Sequence, residues 1–196
     1  VPGASRSQIA DQYRVIKRPL IKNAMGRGAS VIANGNLIMV TSSLPGEGKT
    51  FSSINLAFSI AREKDLEVVL IDADVAKQNV SRTFGVKGEP GLLNALADES
   101  IDIESLILPT DVQGLYILPA GQHAEDVATE LLASSRMEEL AARIGARSRN
   151  RIALFDSPPL LLTNEARVLA SLMGQILLVV CAGETPQQAV LEAIGY

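Results

Sequence analysis

Residues 43–50 read Ser-Leu-Pro-Gly-Glu-Gly-Lys-Thr, and together with their flanks they restrict the fold more than any other stretch of the chain. Before them, Leu37-Ile38-Met39-Val40 is an apolar run of the kind that forms a buried strand; after them, Ile54, Ala57, Phe58 and Ala61 recur at the spacing of one helix face. Strand, Gly-rich loop and helix in that order is the setting of a P-loop. Gly46 and Gly48 let a backbone wrap an anion with no Cβ in the way. A helix start at Thr50 adds free N–H groups and a partial positive charge. Leu44, Pro45, Gly46, Glu47, Gly48, Lys49, Thr50 and Phe51 are therefore the candidate nucleotide-binding residues. Lys49 would reach the β- and γ-phosphates of ATP (or ADP), and the Thr50 hydroxyl would meet Mg²⁺. Ser43 stands where the usual pattern has its first Gly.

Acids follow two further apolar runs. Glu67-Val68-Val69-Leu70-Ile71 leads into Asp72-Ala73-Asp74, and Ile152-Ala153-Leu154-Phe155 leads into Asp156-Ser157-Pro158-Pro159. In an open parallel sheet the C-terminal ends of the strands share one edge, where ligands bind. Asp72, Asp74 and Asp156 are thus expected to converge near Lys49 and Thr50. Asp72 and Asp156, with Thr50, are the candidate metal ligands, because Mg²⁺ is held by few carboxylates and keeps several waters.

Strand and helix patterns alternate along the chain, which argues for an α/β fold with a mostly parallel central sheet and helices on both faces. A helix is expected near 49–62, short helices near 91–98 and 102–107, strands at 115–118 and 175–182, a helix near 164–172 and another after Pro186. Ser135-Arg136-Met137-Glu138 has the form of a capping box ahead of a helix with Leu140, Ala141 and Ile144 on its buried stripe. With 196 residues and 47% apolar content the chain suits one domain with a large core. Net charge is −4, which leaves no bulk basic field for nucleic acid. No apolar run approaches the ~20 residues that span a bilayer, and no stretch of this sequence reads as a signal peptide, so a cytoplasmic location is expected. Cys181, the single cysteine, is expected to be a buried small hydrophobe. His123, the single histidine, reads as a loop residue rather than a base.

Asp72-Ala73-Asp74, Asp156-Ser157-Pro158-Pro159 and Pro45-Gly46-Glu47-Gly48-Lys49-Thr50 together resemble the Walker A′, B and A motifs of bacterial tyrosine kinases, P-loop enzymes that control capsule and exopolysaccharide production. Leu118-Pro119-Ala120-Gly121 and Thr129-Glu130-Leu131-Leu132 are similar to that family as well. Ile16-Lys17-Arg18-Pro19-Leu20 and Thr185-Pro186-Gln187-Gln188-Ala189 look most like the tyrosine autokinases of exosortase (PEP-CTERM) exopolysaccharide loci. The resemblance implies the P-loop NTPase fold of the MinD/ParA-like branch, autophosphorylation on tyrosine with Mg-ATP, and a membrane-embedded polysaccharide co-polymerase as activator, which would bring the chain to the inner face of the membrane. It also implies catalytic roles for Lys49, Asp72, Asp74 and Asp156, with Asp74 accepting the tyrosine proton. The family's basic residue two places after the second Asp is Ala76 here, followed by Lys77.

Residues 1–35 are expected to form an N-terminal helical segment ahead of the kinase domain at 36–196. Ile9, Tyr13, Ile16 and Leu20 would line its apolar face, and Pro19 should kink or end the helix. Asp11, Arg14 and Lys17 fall on one flank. That flank is either a solvated face or, by resemblance to the family's Glu-x-x-Arg-x-x-Arg motif, a ring-forming subunit contact. The family continues into a further strand and a tyrosine cluster; this chain reaches Tyr196 without either, and is expected to be a segment of a longer protein. Two other functions stay open: a MinD/ParA-like ATPase, although Leu44 occupies the place of that group's signature lysine, and a nucleotide-switched scaffold of an export complex.

Overall fold

The computed structural model describes residues 8–122 and 125–195. Helix α1 (Gln8–Ala24) precedes strand β1 (Leu37–Ser42), helix α2 (Lys49–Ala61) and strand β2 (Glu67–Asp72). Two short helices, α3 (Asn79–Thr83) and α4 (Leu92–Ala97), and a 3₁₀ turn at Ile103–Leu106 lead to β3 (Leu108–Pro109) and β4 (Leu115–Leu118). Then come α5 (Glu125–Leu132), α6 (Ser135–Ala146), β5 (Arg151–Asp156), α7 (Asn164–Leu172), β6 (Gln175–Val179) and α8 (Gln187–Ile194).

The six strands form one sheet in the order β3-β4-β2-β5-β1-β6. Every pairing is parallel except that of the two-residue β3 with β4. Strand residues alternate between two cores. Leu37, Met39, Val69, Ile71, Ala153 and Phe155 face one side, under α4 to α8. Ile38, Val40, Val68, Leu70, Ile152 and Leu154 face the other, under α1, α2 and α3. Burial on both faces explains why the central strands read as continuous apolar runs rather than alternating ones. The register sets Asp72 directly beside Asp156 on the adjacent strand ends.

Several local expectations are corrected. Pro19 does not end α1, which runs on to Ala24. Contacts on both sides of it hold the helix down: Tyr13 and Leu20 are buried in the core that α1 shares with α2, and the Gln175 side-chain amide donates to the Leu20 carbonyl at 3.0 Å. Ile9, at the far end of the expected stripe, is 45% exposed. The capping box at Ser135 does not form: Ser134 is the N-cap, makes no capping bond, and instead donates its hydroxyl to the Leu131 carbonyl. Strand β6 stops at Val179, because the chain turns at Cys181, whose carbonyl accepts from the N–H groups of Glu184 and Thr185. Cys181 is accordingly partly exposed, not buried. His123 and Tyr196 lie outside the described residues. No described helix is long and apolar enough to cross a membrane.

Candidate active site

The loop after β1 turns through two left-handed glycines, Gly46 at φ 87° and Gly48 at φ 90°. No atom lies within 4 Å of where a Cβ would stand on either. They therefore leave an open cradle, and a side chain there would be strained by its backbone angle. The loop is held from behind: Thr41 donates to the Pro158 carbonyl at 2.9 Å, and the Leu160 and Leu161 N–H groups donate to the Ser42 and Ser43 carbonyls. Gly48 is the N-cap of α2 and brings no capping side chain, so the first-turn N–H groups have no side-chain partner from that position. This is the geometry that receives phosphate at a helix N-terminus.

The sheet brings the acids to this loop. Thr50 donates its hydroxyl to Asp156 Oδ2 at 2.7 Å, and Ser53 donates to Asp156 Oδ1 at 2.8 Å. Lys49 is buried, and its Nζ lies 3.9 Å from Asp74 Oδ2. That separation is an ion pair through space rather than a hydrogen bond. Asp72 Oδ2 accepts from both the N–H and the hydroxyl of Ser81, each at 2.7 Å. The Ala120 N–H donates in turn to the Ser81 hydroxyl at 3.0 Å. Asp72 Oδ1 and Asp74 Oδ2 are buried with no hydrogen-bond partner among the described residues. Lys77 meets Asp74 through its backbone N–H, at 3.3 Å.

Burial dominates the electrostatics. It pushes the Asp72 carboxyl up to about 7, against the Ser81 bonds and with the help of the Asp156 and Asp74 charges. Burial likewise pushes Asp156 up to about 6, opposed by Thr50, Ser53 and the Lys49 charge. Three acids crowded at one sheet edge with one lysine form a site short of positive charge.

The residues fit Mg²⁺ with a nucleotide phosphate. A hydroxyl has one proton and two lone pairs, so Thr50, with its proton on Asp156, keeps a lone pair for a metal. No cluster of three or more metal-holding His, Cys, Asp or Glu side chains is prebuilt among the described residues. Mg²⁺ is commonly held by one or two carboxylates together with substrate phosphate and several waters. Of the residues expected at the site, Lys49 is brought to Asp74 and Thr50 to Asp156, while Asp72 is next to Asp156 but turned to Ser81. The Leu44 N–H donates to Glu47 Oε2 at 2.6 Å, so it is already engaged within the loop. Sequence reasoning misses Ser53 and Ser81. Ser53 carries a signal, since it lies one helical turn beyond Lys49 and Thr50; Ser81 sits on the five-residue α3, too short to show a period.

Residues 35–183 match the family described as AAA domain. Tyrosine-protein kinase YwqD of Bacillus subtilis (strain 168) is 31% identical over 188 residues, spanning 96% of this chain and 75% of that protein. Tyrosine-protein kinase wzc of Salmonella typhimurium is 34% identical over 151 residues, 77% of this chain. The chain spans only about a fifth of that longer relative, an aligned share of 20%. Among solved structures, the VpsO kinase domain superposes with a TM-score of 0.73 at 30% identity, covering 96% of this chain and 91% of that one. The septum site-determining protein MinD of Pyrococcus horikoshii, complexed with Mg-ADP, shares the fold with a TM-score of 0.63 at 22% identity, covering 81% of this chain and 65% of that one. The parallel sheet, the glycine cradle and the acids around Lys49 agree with these likenesses, and the chain belongs to the bacterial tyrosine-protein kinases of the P-loop ATPase fold.

Proposed function

We propose that this chain is an ATP-dependent protein-tyrosine autokinase that regulates exopolysaccharide synthesis or export. The observation that carries this is the convergence of Lys49, Thr50, Asp74 and Asp156 at the open end of a glycine cradle. Phosphoryl transfer asks for positioning and charge neutralisation more than covalent chemistry. Lys49 and the first-turn N–H groups of α2 bind and orient the phosphates. Thr50 and Asp156, with Asp72, would hold Mg²⁺, which would neutralise charge on the phosphates. Asp74 accepts the proton of the acceptor tyrosine; its Oδ2 is buried, has no hydrogen-bond partner among the described residues and faces the Lys49 ammonium at 3.9 Å, and a positioned carboxylate can act as a general base.

Incubation of the full-length protein with Mg-ATP followed by mass spectrometry should reveal phosphotyrosine, and Lys49→Ala should remove it. ATP turnover without phosphotyrosine would instead favour the MinD/ParA-like or scaffold reading, which uses the same cradle without a tyrosine acceptor.

Residues 1–35 serve, in this proposal, as the assembly element of the kinase domain at 36–196. Its flank differs from the sequence expectation. Lys17 is buried and turned onto α2, where it donates to the Ser59 carbonyl at 2.6 Å and pairs with Glu63 at 2.6 Å. Asp11 and Arg14 pair with each other at 2.8 Å and stay accessible. A ring contact between copies of the chain would therefore run through Asp11 and Arg14; a membrane-embedded co-polymerase would be a separate, activating partner that brings the chain to the inner membrane face.

A further inference from the structure

In a phosphate cradle of this kind the residue between the two glycines is required to give only its backbone. Here its side chain does more. Glu47 is 9% exposed. Its Oε2 accepts the Leu44 N–H at 2.6 Å, which closes the loop on itself. Its Oε1 accepts the Thr185 hydroxyl, from a turn 138 residues further along the chain. The Cys181 N–H donates to the Thr185 hydroxyl at 3.2 Å and points toward Glu47 Oε1 at 3.5 Å. That turn is itself rigid: the Glu184 and Thr185 N–H groups both return to the Cys181 carbonyl, and Pro186 then opens α8.

We propose that Glu47 is a positioning residue that latches the phosphate loop to the Cys181–Thr185 turn, so that the end of β6 holds the cradle in its binding shape. The proposal rests on the nucleotide site proposed above and adds a role for the Thr185-Pro186 segment, which that site does not use. Two left-handed glycines flank Glu47, and an unlatched loop with such freedom must be ordered each time a ligand enters. The latch supplies that order in advance. Burial alone pushes the Glu47 carboxyl up, but bonds from Leu44, Thr185, Cys181 and Ser42 outweigh it and hold the group below its usual value. Its charge is thus spent on protein donors.

Thr185 touches none of the phosphate-binding atoms, so it is the clean place to test. Thr185→Val keeps the shape and removes the hydroxyl; Thr185→Ser restores it. In nucleotide-free protein, hydrogen–deuterium exchange across residues 43–50 should be faster in Thr185→Val than in wild type or Thr185→Ser. The Kd for Mg-ADP should rise on the order of tenfold in Thr185→Val and stay near wild type in Thr185→Ser, the effect expected for a lost bond to a charged group. Glu47→Ala should weaken ADP at least as much, and adding Thr185→Val to it should change nothing further, since the two share one interaction. Wild-type exchange and wild-type affinity in Thr185→Val would overturn the latch, and so would additive losses in the double variant. Faster exchange in Thr185→Val in a protein that binds no ADP at all would leave the latch standing and remove the nucleotide reading instead.

Discussion

Thr50 donates its hydroxyl to Asp156 Oδ2 at 2.7 Å, joining the first turn of the loop helix to the end of the central strand β5. Ser53 occupies the other oxygen of the same carboxylate at 2.8 Å. The two hydroxyls hold one rotamer of Asp156 and leave Thr50 a lone pair on the cradle side. Thr50→Val should therefore weaken Mg²⁺ support of nucleotide binding more than Ser53→Ala does. The check is the ADP Kd by calorimetry with Mg²⁺ and with EDTA: the gain from Mg²⁺ should shrink in Thr50→Val and survive in Ser53→Ala. An equal Mg²⁺ gain in both variants would refute the ligand role given to Thr50.

Lys49 and Asp74 face each other yet have different tasks. Lys49→Ala should weaken ATP strongly, because the buried ammonium is the side-chain cation at the cradle. Asp74→Asn keeps the shape, and should leave ATP affinity within about threefold while lowering phosphotyrosine formation by ~10²-fold or more, the usual weight of a general base. Single-turnover phosphorylation beside nucleotide titration separates the two. Normal turnover in Asp74→Asn would take the base role away from this residue.

Asp72 carries a stability cost that depends on pH. Its carboxyl, pushed up to about 7 by burial, has an ordinary value of 3.8. Between these values the folded chain binds more protons than the unfolded one, so stability falls as pH rises through this window. Below about 4 both states are protonated and the effect vanishes. Without nucleotide and Mg²⁺, Asp72→Asn should stabilise the protein at pH 8 by roughly 1–4 kcal/mol, since each tenfold change in proton affinity is worth about 1.4 kcal/mol. The gain should fade toward pH 4. Denaturant titrations at pH 5 and pH 8 decide it; a pH-independent difference would mean that burial of the charge is not the cause. The same substitution should abolish phosphorylation, a trade of stability for function.

The cradle is legible in the sequence because its information is local. A strand, a Gly-rich loop and a helix lie within 37–61, and a parallel sheet carries Asp72 and Asp156 to the same edge by topology alone. What is not legible joins distant segments. Ser81 reaches Asp72 from a five-residue helix with no visible period. Thr185 reaches Glu47 across 138 residues, and neither residue type announces the other. Pro19 signals a break through its local effect on a helix, whereas tertiary contacts at Tyr13 and Leu20 decide the outcome. Lys17 reads as a surface charge because lysines mostly are; only the packing of α1 on α2 turns it inward.

Lys17 and Arg14 lie one turn apart on α1 and should separate stability from assembly. Lys17 donates to a backbone carbonyl from a side chain only 8% exposed, and its partner Glu63 is 48% exposed. Lys17→Ala should loosen α1 from α2 and destabilise the chain by about 1–3 kcal/mol, the range for a lost charge-assisted bond. The Arg14–Asp11 pair is exposed on both sides, 39% and 54%. Such a pair contributes about 0–1 kcal/mol to folding, so Arg14→Ala should leave stability within ~0.5 kcal/mol. If the flank binds another copy, Arg14→Ala should shift the population toward monomer, and higher salt should do the same to wild type. A ring repeats the contact at each interface, so a small loss per pair is multiplied in the assembly equilibrium. Denaturant melts and analytical ultracentrifugation of both variants at low and high salt test the two claims independently. A stable Lys17→Ala would contradict its anchoring role. Identical mass distributions for wild type and Arg14→Ala at both salts would remove Arg14 from any subunit contact and leave α1 as a helix whose work is to pack on α2.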